Sequence, residues 1–527
     1  MTRRPLILVA LAVAAMHLAA LTDLWVVKPD SGLYLGLGQS LAEGRGMAFN
    51  GAQWWGIPPM VPFLVAGCRW LVGDHMWLIN LVVSLFGLGV VAVSYPTLRR
   101  LAADLPERLR PGLAVGSLLV VATSARLFVD SKCILTDVPF AFFVMLSLYF
   151  CVRGRDGHWA WFLLASAALV LAMLTRIVGP VLAAAVAMAA LLESLSRPDR
   201  GKRLLVLAGG LVIMAGGFAL WAVLLRSRAE AGSIDYLESK NLALFNVFTV
   251  AKWREIGQGL LALPGALTST IVYQKSPYIN LVPTALVLVG AWTAARRRQW
   301  LVVLPLVVYL GFLLALGVAV ASRYLLPVMP LIVYCLLVGV QVVVERFRRW
   351  RRPGDEAAGR PSLALAIAVG LCAAISLARV GREVYWLRHP RCYEVLDQGQ
   401  WAGLLEAGRY LRAQGRPGVD RVLGPQLYVL HYTSGLLATT AFDWKGRLIS
   451  HFEDLPPEKF AAAAVEGGYR FVVVPMNTAG WSGPALEALR ATGRFGDPPQ
   501  RFAGLAVLER RDAPSGAPRE PVNGAAR

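Results

Sequence analysis

The sequence predicts an α-helical polytopic membrane protein of about eleven transmembrane helices, ending in a small C-terminal α/β domain. Three observations predict it. Of 527 residues, 56% are hydrophobic and 16% are charged, with a mean hydropathy of +0.54, whereas roughly a quarter of a soluble domain is charged. Apolar runs of bilayer length recur near 5–25, 76–98, 112–129, 136–152, 159–176, 178–195, 204–226, 278–295, 300–319, 324–344 and 362–380. The arginines and lysines fall in short clusters at alternate loops: Arg3-Arg4, Arg99 to Arg110, Arg153 and Arg155, Arg197 to Arg203, Arg296 to Arg298 and Arg346 to Arg352.

Those clusters decide the meaning of the formal net charge of +20. A basic chain suggests nucleic acid, but charge confined to alternate loops is the positive-inside bias. With the N-terminus cytoplasmic, every cluster lies on the cytoplasmic side, which predicts a multi-pass chain in contact with lipid and leaves nucleic acid without a surface. The first apolar run is long for a signal peptide and many spans follow it. The opposite face receives the polar loops 26–75 and 227–277, the short turns at Lys132, Arg176 and Arg323, and the C-terminal region. This divides the chain into a membrane domain over 1–384, a small extracytoplasmic α/β domain over 385–512 and a disordered tail over 513–527.

The first outer loop is too polar and glycine-rich to span a bilayer. Leu33, Leu37 and Leu41 form one stripe with Tyr34 alongside, the pattern of a helix lying in the interface, and Gly44 and Gly46 end it. A second amphipathic or re-entrant piece runs from Pro58 to about Val72, with Trp54, Trp55 and Trp70 suited to the headgroup level. Asp30, ahead of the stripe, reads either as a helix N-cap or as a carboxylate that accepts a proton or holds a hydroxyl.

Asp137 opens an apolar span with Pro139 just inside it, so it too reads as a cap; an acid at this depth also reads as a functional group. Lys132 and Asp130 stand just before it. Arg176 and Arg323 are isolated between apolar stretches and need anionic partners: lipid headgroups, a structural pair such as Arg176 with Asp137, or a ligand phosphate. The loop 227–277 reads as a partly helical lid carrying Asp235, Tyr236, Glu238, Lys240, Asn241, Lys252, Trp253, Tyr273 and Lys275, either an interfacial belt or aromatics that stack on a sugar. Beyond the last span, helical patterns near 397–414, 455–467 and 483–492 alternate with the strand-like runs RVLG, YRFVVVP and LAVLER.

Asp30 with its tyrosine-bearing helix, GRGMAFNG, IPPMVPFLVAG, LTDVPFAFF, LTRIVGP and SRYLLPVMP, in this order over residues 1–380, resemble the integral-membrane glycosyltransferases of the GT-C superfamily. The branch most alike is family 39, which includes protein O-mannosyltransferases and the aminoarabinose transferase of lipid A. The resemblance implies a place in the inner (plasma) membrane, and transfer of a sugar from a polyprenyl-phosphate donor to a lipid, glycan or protein acceptor outside that membrane. It implies Asp30 as the catalytic acid of the first loop and general base, and Asp137 as the second acid. Arg323 and Tyr324 match an arginine-tyrosine-proline motif at the donor cavity, and Arg176 a basic position between spans. The chain departs from the family where Ser31 replaces the second acid of an Asp-Glu pair, where Ile57 replaces a lysine before the double proline, and where Leu33 replaces a basic residue. Phosphate contacts then fall to Arg176, Lys132, Lys275 and Arg323, and sugar or acceptor contacts to Tyr34 and Tyr236.

Other chemistries find little support. The six cysteines show no paired spacing, the six histidines form no HExxH, and GLGQSLAEG fails the GxGxxG spacing, which leaves no zinc hydrolase, nucleotide site or tightly bound cofactor. A divalent metal is not expected at a lone Asp30. The rival classes are a lipid-linked glycan transporter or flippase, which would favour internal repeats and broken helices, and a non-catalytic GT-C-like membrane protein.

Overall fold

The computed structural model describes residues 3–54, 56–195, 199–228, 250–272, 280–316, 321–351, 362–388, 400–442, 455–476, 482–496 and 499–512. The chain divides into two units. The first holds Met1–Trp25, Trp55–Leu64 and Leu71–Tyr385, the second Val26–Trp54, Val65–Trp70 and Trp386–Arg527.

Each of the eleven expected spans contains a helix: Arg3–Ala19, Met76–Leu101, Arg110–Thr123, Asp137–Asp156, Trp161–Met173, Gly179–Leu195, Arg200–Arg228, Leu281–Arg296, Trp300–Ala315, Met329–Arg351 and Leu363–Arg388. Five apolar stretches, Met76–Asp104, Asp137–Asp156, Arg200–Val223, Ser322–Arg351 and Leu363–Arg388, are long enough to cross a membrane on their own. Ser322–Arg351 is the central one, with 83% of its apolar window buried in protein, against 17% for Arg200–Val223 and 22% for Leu363–Arg388. Leu205, Val212, Leu363 and Leu371 are exposed on the last two, apolar surface that suits lipid.

Small residues set the closest approach in this unit. A Cβ on Gly290 would strike the backbone of Cys335, and one on Gly339 the backbone of Leu286, so Leu281–Arg296 and Met329–Arg351 meet at their main chains, as membrane helices do through glycine. Arg155, read above as part of a basic loop cluster, is instead buried: it reaches Asp104 at 3.3 Å, Asp156 at 2.8 Å and Glu193 at 3.8 Å.

The expected span 112–129 is broken. Ser124 leaves helical geometry, its Oγ accepts from Leu127 N at 3.3 Å, and a second helix, Ala125–Asp130, starts there. Within the expected outer loop 227–277, Val250–Val272 is a helix that buries Ala266, Leu267 and Ile271 in the core of its unit. Asp235, Tyr236, Glu238, Lys240, Asn241, Tyr273 and Lys275 lie outside the described residues.

In the second unit, Pro29–Ala42 is a helix that faces inward through Leu33, Leu35 and Leu37. Gly44 and Gly46, at φ 76° and 72°, follow its end. Lys28 holds the cap position and Asp30 the first turn, which corrects the reading of Asp30 as the cap; Ser31 Oγ accepts from Lys28 N at 3.0 Å and donates to Lys28 O at 2.6 Å. A hairpin follows, β1 (Ala48–Phe49) and β2 (Ala52–Gln53), turning on Asn50-Gly51 with both residues left-handed, at φ 53° and 78°. This is the turn that Asn-Gly favours, and the sequence reading left it as loop. Met60–Val72 is the helix expected after the double proline.

The C-terminal part is the small α/β fold the sequence suggested. Its strands β3 (Arg421–Pro425), β4 (Leu437–Phe442), β5 (Phe471–Pro475), β6 (Gln500–Phe502) and β7 (Leu505–Glu509) form one sheet in the order β4-β3-β5-β7-β6. The pairs β4-β3 and β3-β5 are parallel, the others antiparallel. Helices Gln400–Gln414, Pro457–Glu466 and Ser482–Ala491 match the expected patterns. Leu427–Ser434, β4 and β6 do not.

Asp420, just before β3, is buried and accepts from Arg416 and Arg470, each at 2.8 Å. Burial pushes its carboxyl up, but the two guanidinium groups outweigh that and hold it below the usual carboxylate range. A depressed carboxylate stabilises above its ordinary pKa and loses that contribution as pH falls through the folded value. Stability of the C-terminal fold is therefore expected to decline below about pH 4, and Asp420→Asn to flatten that limb in acid unfolding followed by circular dichroism.

Candidate active site

The expected site residues fall into two groups, one in each unit. In the first unit they gather around the 3-10 segment Ser322–Val328, which leads into the central helix. Asp137 occupies the first turn of Asp137–Asp156 and is 3% exposed. Arg176 stands in the tight connection between Trp161–Met173 and Gly179–Leu195: its N–H donates to Ala172 O at 3.1 Å and its carbonyl accepts from Gly179 N at 2.8 Å. Gly179 is required there, because a Cβ would meet Met173 Cα at 2.6 Å. Held this way, Arg176 forms an ion pair with Asp137. Of the three partners the sequence left open for Arg176, the structure shows the Asp137 pair.

The same guanidinium lies over the Tyr324 ring at 5.1 Å, and that of Arg323 lies 4.9 Å from the ring and donates to Tyr324 Oη at 2.9 Å. Tyr324 is thus flanked by two cations. Tyr309, fully buried, fixes its backbone by donating to Tyr324 O at 2.7 Å.

Sequence reading missed Arg126. Its side chain grips the buried Asp130 through Nε at 2.6 Å and Nη2 at 2.8 Å, and its Nη1 reaches Ser322 Oγ at 3.3 Å. Thr270 Oγ1 donates to Ser322 O at 3.1 Å. The signal was the four-residue spacing in ARLFVD, which puts acid and base on one helix face. Two acid–arginine pairs therefore bracket Ser322, Arg323 and Tyr324, and planar guanidinium groups suit phosphate oxygens.

Lys132 stands elsewhere in this unit. It is buried, donating to His17 O at 2.9 Å and Ser84 Oγ at 3.0 Å, and burial pushes its ammonium down to about 8.

In the second unit, Asp30 and Tyr34 are half-buried, one turn apart on Pro29–Ala42. The helix is anchored near its end by Trp70 Nε1, which donates to Ala42 O at 3.0 Å. Lys275 and Tyr236 lie outside the described residues. Among the described residues, no group of three or more His, Cys, Asp or Glu is placed to hold a metal ion.

The chain has the fold of a GT-C membrane protein. Residues 47–227 match the family model for dolichyl-phosphate-mannose-protein mannosyltransferase. The chain is similar in structure to ArnT from Cupriavidus metallidurans bound to undecaprenyl phosphate, with a TM-score of 0.61 at 16% identity, over 98% of this chain and 100% of that one. It is also similar to the Archaeoglobus fulgidus oligosaccharyltransferase tethered to an acceptor peptide, with a TM-score of 0.52 at 12% identity, over 94% of this chain and 73% of that one. No curated protein matches the chain. The resemblance to the family-39 branch of the GT-C superfamily is thus met in fold over nearly the whole chain, and by the mannosyltransferase family model over residues 47–227.

Proposed function

We propose that the chain transfers a sugar from a polyprenyl-phosphate donor to a lipid, glycan or protein acceptor on the extracytoplasmic face of the inner membrane. The observation that carries this reading is the pair of guanidinium groups, Arg176 and Arg323, flanking Tyr324 beside the buried Asp137. A sugar phosphate already has a good leaving group, so the protein must stabilise the phosphate charge as the bond breaks and deprotonate the attacking hydroxyl. In this reading Arg176 and Arg323 bind the donor phosphate, Tyr324 and Asp137 fix their direction, and Asp30 is the general base that takes the acceptor proton. Tyr34 and Tyr236 contact the sugar or acceptor and Lys275 the donor phosphate, whereas Lys132, first expected on the phosphate, directs its ammonium to His17 O and Ser84 Oγ. No resident metal is required by this chemistry. The ArnT structure with undecaprenyl phosphate supports a lipid carrier of this class.

The test is incubation of the purified full chain, in nanodiscs, with a panel of polyprenyl-phosphate sugars. Release of polyprenyl phosphate from one donor supports the transferase. Intact donors, together with passage of a lipid-linked glycan across liposomes holding the protein, would establish the transporter instead.

A further inference from the structure

The C-terminal fold contacts the residues around the Asp30 helix, all inside the second unit. The Asn50 side chain acts as a strand fragment on β4, an edge of the sheet. Its Oδ1 accepts from Ala438 N at 2.7 Å and its Nδ2 donates to Ala438 O at 2.9 Å, so both main-chain groups of one edge residue are taken by one side chain. The backbone N–H of Asn50 donates to His431 Nε2 at 3.0 Å, and His431 Nδ1 donates to Leu436 O at 2.6 Å, which fixes the neutral tautomer with Nε2 as acceptor. Phe49, beside Asn50, packs edge-on against His431 at 4.4 Å and against Tyr428 at 6.0 Å.

The hairpin thus held presses on the helix that bears Asp30. A Cβ on Gly36 would run into the Phe49 ring, and one on Gly32, two residues after Asp30, would lie 2.5 Å from Tyr428 O and 2.8 Å from its carbonyl carbon. The helix meets Leu427–Ser434 at main-chain distance, and no side chain beyond hydrogen fits at Gly32.

We propose that Asn50, His431 and Gly32 are positioning residues, and that the C-terminal α/β fold serves as the platform that sets where Asp30 stands. The interaction is polar and directional at Asn50 and steric at Gly32, so the platform fixes both the register and the height of the helix. This rests on the reading of Asp30 as the base. A carboxylate displaced by about 1 Å loses up to roughly a hundredfold in rate without loss of substrate binding.

Asn50→Gly is the informative variant, because glycine keeps the left-handed turn and the N–H to His431 while deleting both bonds to Ala438. Amide exchange followed by mass spectrometry on the full chain is expected to show at least about tenfold faster exchange over 29–42, with β5 and β7 unchanged. Consumption of a polyprenyl-phosphate sugar is expected to fall about tenfold or more in kcat, with undecaprenyl phosphate binding unchanged. Gly32→Ala should show the same split. Unchanged exchange over 29–42 in Asn50→Gly overturns the platform, and so does faster exchange with full kcat. A native chain that consumes no donor overturns the transferase reading instead, while the exchange result still decides whether the clamp holds the helix.

Discussion

Asp30→Asn is expected to lower sugar transfer by roughly 10²–10⁴-fold, the contribution of a positioned general base, with donor binding intact. The substitution keeps the shape of the side chain and removes its charge and basicity. Asp30 also lies in the first turn of its helix, where a negative charge is favourable, and losing that interaction costs about 0.3–1 kcal/mol at most. A drop in rate with a nearly unchanged melting temperature therefore separates the catalytic role from the helix-terminal one. Lys28, not Asp30, holds the cap position, so the variant retains the local helix start.

The second large effect is expected at Arg176. Arg176→Leu leaves Asp137 buried without its ion-pair partner, and breaking a buried pair from one side costs about 3–5 kcal/mol. It also takes one of two cations from Tyr324. Thermal stability in detergent and affinity for undecaprenyl phosphate should both fall. The double change Asp137→Leu with Arg176→Leu should recover much of the stability, since the stranded charge is gone, but none of the affinity. Arg176→Lys keeps a charge but not the planar fork that lies over Tyr324, so it should rescue stability better than binding. Recovery of affinity in the double variant would show the pair to be structural only.

The helical architecture was legible because a span must satisfy its backbone polar groups within a continuous helix, which writes long apolar runs. The break at Ser124 was not legible, since the apolar pattern continues through it and only a serine hydroxyl marks the new helix start. In the C-terminal fold, the runs at 421–424, 469–475 and 505–510 stood out by continuous apolar composition. Strand β4, LATTAF, carries two threonines and a weaker signal, and β6 has only three residues.

At the site, the need of an isolated arginine for an anionic partner brought Asp137 and Arg176 into consideration as a pair, which the structure contains. Arg126 escaped because it lies within an apolar run, where its pairing with Asp130 shows only as a four-residue interval. The Asn50 contacts escaped for a different reason. Asn-Gly names a turn, but which strand edge its side chain reaches, 388 residues further on, is a tertiary fact.

In the proposed reaction Asp30 is the base of a sugar transfer from a lipid phosphate. The measurement that tests it most directly is single-turnover consumption of the donor found active in the panel, by native chain and Asp30→Asn, at equal donor occupancy. Rapid release of polyprenyl phosphate is expected from the native chain, and release slower by at least about a hundredfold from the variant. Equal rates in the two proteins would contradict it.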